Sequence, residues 1–165
     1  MNSIAQLADD FLAQRTIAII GISSRQQSLA NNLYKVLRTP QRTVIAIHPT
    51  MTTFEGDPCF PTLQSIPQTI DGVFIAAKPE NAERAVDECI ALNIPRVWMH
   101  NSFGLQYSAH RSAASSVSIT ALQKCRDHKI AVIPGACPMM FLENRDAFHS
   151  CLRWILSHTG KLALK

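Results

Sequence analysis

The stretch Thr16-Ile17-Ala18-Ile19-Ile20-Gly21-Ile22-Ser23-Ser24-Arg25-Gln26-Gln27-Ser28 decides how the chain is read. Apart from one alanine, its first five residues are β-branched, as expected of a short strand buried on both faces. Gly21 then opens a polar turn, and a helical stripe of Leu29, Leu33, Val36 and Leu37 follows it. A turn between a buried strand and a helix offers backbone N–H groups and the positive helix end, which together suit phosphate. Ser23, Ser24 and Ser28 add hydroxyls, and Arg25 adds a cation. The plainer reading of the same residues is a polar turn that caps a helix. The dinucleotide pattern GxGxxG fails here, because Ser23 and Gln26 stand where its second and third glycines belong.

Working outward, four more apolar runs resemble the first: residues 43–47, 72–77, 96–99 and 130–133. Helical patterns separate most of them. Ala82, Ala85, Val86, Cys89 and Ile90 recur at helical spacing after Pro79, and that helix should end by Asn93, before Pro95. Residues 3–14 form a first helix, with Ser3 and Gln6 at capping-box spacing. Residues 108–127 should be helical mainly in their second half, and a last helix runs over about 143–157. The proline-rich segment 51–67 reads as irregular. Strands alternating with helices imply right-handed crossovers and a parallel sheet. The expectation is therefore an α/β protein: one Rossmann-like, doubly wound domain over residues 1–165. Its core spans about 16–140, with a mainly parallel five-stranded sheet and helices on both faces.

Composition narrows the function. The 165 residues are 47% hydrophobic and 17% charged, the balance of a globular chain. Six glycines are about half the usual ~7%. Asp9, Asp10 and Gln14 interrupt the N-terminal apolar residues, so neither a secretory signal nor a mitochondrial presequence is read there. The expected location is the cytoplasm, without membrane contact. Five cysteines lack metal-ligand spacing and are expected to be mostly buried and reduced. The net charge of +4 is scattered, which argues against nucleic acid and is compatible with a small anionic ligand.

In open α/β sheets ligands lie at the carboxyl ends of the strands. His48 and Pro49 follow the second strand, where an NAD site would carry an acid; a histidine there sits better beside a phosphorylated ribose. Lys78 and Pro79 follow the third strand and open a helix. His100 and Asn101 follow the fourth. Cys137 and Pro138 follow the fifth, and a thiol there is reactive only if a helix start lowers its pKa. His48 and His100 could meet at the strand tips, but two histidines alone do not make a metal site.

Several of these segments, in this order, resemble the coenzyme A-binding domain family. The carriers are the Gly21-Ile22-Ser23-Ser24 turn, Ile47-His48-Pro49, and Gly56-Asp57-Pro58-Cys59-Phe60-Pro61-Thr62-Leu63. With them go Ile70-Asp71-Gly72-Val73, Lys78-Pro79-Glu80, Val97-Trp98-Met99-His100 and Cys137-Pro138. The family has a Rossmann-like fold and occurs as small stand-alone proteins and as the N-terminal part of the succinyl-CoA synthetase α subunit. The resemblance implies that Gly21, Ser23, Ser24 and Arg25 hold phosphates, with His48 and Pro49 near the adenosine ribose. Lys78 and Pro79 would flank the nucleotide, and Cys137 and Pro138 would form the far wall. Small members usually carry Asn where His48 stands, and a glycine where Gln26 to Ser28 stand. No catalytic residue carries over, because the synthetase's phosphohistidine lies on a domain with no counterpart in this chain.

The leading expectation is thus non-catalytic binding of coenzyme A or an acyl-CoA. One alternative is an NADP-dependent oxidoreductase with His100 or Tyr107 as proton donor. Another is an interaction module with a decayed nucleotide site. In that reading Phe148, Leu152, Ile155 and Leu156, with Trp154 nearby, offer a homodimer face, although core packing is the commoner role of such a stripe.

Overall fold

The computed structural model describes residues 3–25, 28–105 and 115–163. Helix α1 (Ile4–Leu12) begins at the Ser3/Gln6 capping box that the sequence predicts. Strand β1 (Thr16–Ile20) leads to α2 (Leu29–Leu37), capped by Ser28, and then to β2 (Thr43–Ile47). A hairpin of β3 (Thr53–Phe54) and β4 (Asp57–Phe60) follows, then a 3₁₀ turn at Leu63–Ser65. Next come β5 (Gly72–Ile75), α3 (Pro79–Ala91), β6 (Arg96–Met99) and β7 (Asn101–Leu105). The last elements are α4 (Ile119–Asp127), β8 (Ala131–Ala136), a 3₁₀ turn at Pro138–Phe141, and α5 (Ala147–His158).

The sheet order is β3-β4-β2-β1-β5-β6-β8-β7, parallel from β4 to β8 and antiparallel at the two edges. The α/β class holds, and all five expected strands form. The sheet has eight strands rather than five, because three lie in segments read as irregular or as loops. The β3–β4 turn, Glu55-Gly56, has φ of +51° and +85°. Positive φ at both central residues marks a type I′ hairpin, and Glu is not a residue that announces one. At the far edge β7 pairs with β8 through an irregular register. β8 also runs on through Pro134 and Gly135, which read as its end.

Alternation along each strand sorts the core onto two faces. Ile17, Ile19, Val44, Ala46, Phe74 and Trp98 pack with α1 and α2. Ala18, Ile45, Ile47, Val73, Val97 and Met99 pack with α3 and α4. Trp98 centres the first face, edge-on to Phe11 at 5.4 Å and to Phe141 at 5.8 Å. Its indole N–H donates to the Gly135 carbonyl at 2.8 Å, so the one polar atom of this buried ring is satisfied.

Two stripes differ from expectation. Val36 is 48% exposed, and Tyr34 takes the inward position. On α5 only Leu156 is buried and Leu152 is partly so; Phe148, Trp154 and Ile155 face outward. The helix begins at Ala147 rather than 143 because Asp146 caps it, accepting from the His149 N–H at 2.8 Å. Residues 108–114, Tyr107, Gln26 and Gln27 lie outside the described residues. Among the described residues no helix is long and apolar enough to cross a membrane.

Candidate functional site

A cleft of about 490 Å³ opens at the carboxyl tips of β1, β2 and β4. Gly21, His48 and Pro49 line it, as do Ala77, the turn Pro61-Thr62-Leu63, and Asn81, Arg84 and Glu88 of α3. Ile20, Ile22, Ile47 and Ala85 give it apolar walls. This is the size and character of a small-molecule site.

Gly21 is required here by close approach. At φ +109° it lies against the loop after β5, and a Cβ would come within 2.2 Å of the Ala76 carbonyl oxygen. The Ala76 N–H donates to the Ile20 carbonyl at 2.8 Å, which keeps the two loops together.

The next residues are held from below. Asn31 is 6% exposed in an otherwise apolar face of α2. Its side-chain oxygen accepts from the Ser23 N–H, and its amide donates to the Ser23 carbonyl, both at 2.9 Å. The Ser28 hydroxyl accepts from the Asn31 N–H and donates to the same Asn31 oxygen. The Ser23 backbone donor is therefore engaged within the protein, whereas the sequence reading left it free for phosphate. Ser24 and Arg25 are exposed above this clamp.

His48 acts as an acceptor. Its Nδ1 receives the Thr50 and Met51 N–H groups, each at 3.3 Å. An Asn side chain closes turns in the same way, so the ring does locally what Asn would do. His48→Asn should keep the turn and the wild-type stability, while His48→Ala leaves two turn N–H groups without an acceptor and should cost about 1 kcal/mol. Urea midpoints of the two variants decide this; equal losses would refute the turn-closing role.

Lys78 is the exposed N-cap of α3, without a side-chain capping bond, and Pro79 occupies the first helical position. Cys137 and Pro138 are elsewhere. They follow β8, three strands from β1, roughly 14 Å away at ordinary strand spacing. Both are buried, and burial pushes the Cys137 thiol up to about 11, opposite to what a reactive cysteine needs. Cys59, Cys89 and Cys125 are also buried, and Cys151 is exposed. His48 and His100 do not meet, since their strands too are three apart. His100 is 8% exposed; Nε2 lies 3.2 Å from the Ser102 hydroxyl, and Nδ1 has no hydrogen-bond partner.

Sequence reasoning missed Asn31, Asn81, Arg84 and Glu88. The signal for the last three was present: positions 81, 84 and 88 share one helical face. Glu88 accepts from the Leu63 N–H at 2.8 Å and so fixes the 3₁₀ turn against α3. A second cleft, of about 440 Å³, lies along the opposite end of β2. Its charges are spoken for: Arg38 pairs with Asp57 at 3.0 Å, and Arg42 donates to the carbonyls of Leu12, Gln14 and Leu37.

Comparison with known proteins gives a consistent picture. The family described as "CoA binding domain" matches residues 15–143. An ADP-forming acetate–CoA ligase I of Archaeoglobus fulgidus is 32% identical over 75 residues, which are 46% of this chain and 11% of the ligase. The chain thus spans only a small part of that relative. A hypothetical protein of Pyrococcus horikoshii OT3 superposes with a TM-score of 0.73 at 19% identity, covering 87% of this chain and 92% of that one. A dinucleotide-forming acetyl-coenzyme A synthetase 1 of Ca. Korarchaeum cryptofilum gives 0.59 at 14% identity, over 78% of this chain and 27% of that one. At these identities the structural likenesses speak for the fold.

Proposed function

Because the chain belongs to the CoA-binding domain family, we propose that it binds coenzyme A or an acyl-CoA in the cleft at the tips of β1, β2 and β4, without transforming it. The cleft itself carries this reading: it combines apolar walls for a base with donors at its rim. Ile22, Ile47, Pro49 and Ala77 suit the adenine, and His48 lies beside the ribose. Ser24, Arg25 and Lys78, exposed on the loops that flank Gly21 and Ala77, meet the phosphates. The Ser23 clamp does not oppose this, since it spends one backbone donor and leaves these side chains outward.

The absence of a reaction is inferred from what the polar groups at the cleft already do. His48 Nδ1 closes a turn, and Glu88 holds another. Nδ1 of His48 and Oε2 of Glu88 thus serve the architecture of a binding site.

Calorimetric titration with coenzyme A, acetyl-CoA, NAD and NADP tests the proposal. Binding of both CoA species, with weaker or no heat from the dinucleotides, is expected. No heat from either CoA species at concentrations up to about 1 mM would remove it, and preference for NADP would replace it with a dinucleotide site.

A further inference from the structure

The cleft holds a cation, Arg84, that no hydrogen bond or ion pair ties to its neighbours among the described residues. Arg84 lines the wall that α3 contributes, between Asn81 and Glu88 and beside Thr62. Among the described residues no carboxylate or carbonyl engages its guanidinium. The nearby Glu88 turns its Oε2 to the Leu63 N–H and makes no ion pair with Arg84. By contrast the arginines with structural roles are fully used: Arg42 by three carbonyls, Arg96 by both oxygens of Asp10. An exposed, unpaired arginine at the mouth of a formed cleft is therefore available to a ligand.

Its position says which part of the ligand. In a doubly wound sheet the ribose of a bound nucleotide lies beyond the tip of the strand next to the first, here β2, and an arginine near that tip takes a phosphate carried by the ribose. His48 and Pro49 leave β2 into the same cleft. A guanidinium meets a phosphate with two parallel N–H donors, which an amide or a hydroxyl cannot match.

We propose that Arg84 binds the ribose phosphate of the ligand, and thereby makes the cleft select coenzyme A over its 3′-dephospho form. This rests on the coenzyme A reading above. The contact is charge-assisted but open to solvent on one side, so the selection should be about tenfold and should shrink as salt rises.

The test measures binding of coenzyme A and of dephospho-CoA to the wild-type chain, Arg84→Gln and Arg84→Lys. Arg84 is exposed and, among the described residues, makes no hydrogen bond or ion pair to lose, so both variants should keep the wild-type circular dichroism and melting profile. The wild type should prefer coenzyme A about tenfold. Arg84→Gln should bind both ligands equally, at the wild-type affinity for dephospho-CoA, and Arg84→Lys should recover part of the preference. A wild type that binds both ligands equally would overturn the assignment, as would an Arg84→Gln variant that keeps the full preference. Binding of neither ligand by the wild type would overturn the coenzyme A reading, and this assignment with it; that result is distinct from the other two.

Discussion

Gly21→Ala should destabilise the fold by about 3–5 kcal/mol. Two costs add. The residue sits at φ +109°, a region side chains avoid, and holding an alanine there costs about 1–3 kcal/mol. The new Cβ would also stand 2.2 Å from the Ala76 carbonyl oxygen, which belongs to backbone and cannot rotate aside. Relief requires the β1 and β5 loops to part, stretching the bond from the Ala76 N–H to the Ile20 carbonyl. Those loops frame the cleft, so ligand binding should fall with stability. Gly56→Ala is the control: its φ is +85°, but a Cβ there meets nothing within 4 Å. It should cost only about 1–2 kcal/mol. Urea midpoints of the two variants compare strain alone with strain plus collision. Equal midpoints would mean that the approach to Ala76 is easily relieved.

Acid should remove about 3 kcal/mol of stability through His100 alone. Burial lowers this ring from the ordinary 6.5 to about 4. The Ala136 carbonyl pulls weakly the other way, but Nδ1 has no hydrogen-bond partner to hold a proton. Between those two values the unfolded chain takes up a proton that the folded chain refuses. The folded state is therefore unaffected above pH 6.5, loses ground as pH falls, and has lost the full amount near pH 4. The 2.5-unit difference between 6.5 and about 4, at 1.36 kcal/mol per unit, gives about 3 kcal/mol. Unfolding free energies from pH 7 to pH 4, for the wild type and His100→Gln, isolate this contribution, because the carboxylates titrate in both. Parallel curves would show that the ring is hydrated in the folded state. The same burial keeps His100 neutral near pH 7, which suits it poorly to donating a proton or to holding a phosphate by charge.

The structure also separates what was legible in the residues from what was not. Features set by near neighbours in the chain could be read directly. Ser3 and Gln6 cap α1 over three residues, Pro79 opens α3, and the uninterrupted β-branched runs become the buried parallel strands. The family resemblance likewise rested on short segments in order, and Gly21, His48 and Pro49 do share a cleft. Features set by pairing across the sheet could not be read. Glu55-Gly56 takes positive φ because β3 and β4 pair antiparallel on either side of it, and that hairpin exists only because β4 finds a place beside β2. The clamp on the first loop could not be read either, because Asn31 reaches Ser23 from eight residues away.

The chain order alone determined the class of fold and the set of loops at the carboxyl end of the sheet. Only the tertiary structure decided which of those loops share a cleft. It placed Arg84 among the residues that line it and left Cys137 buried three strands away. The physical reason is that hydrophobic periodicity specifies which face of each element is buried, while strand order is settled by how the crossovers pack. A residue's distance from the cleft depends on that order.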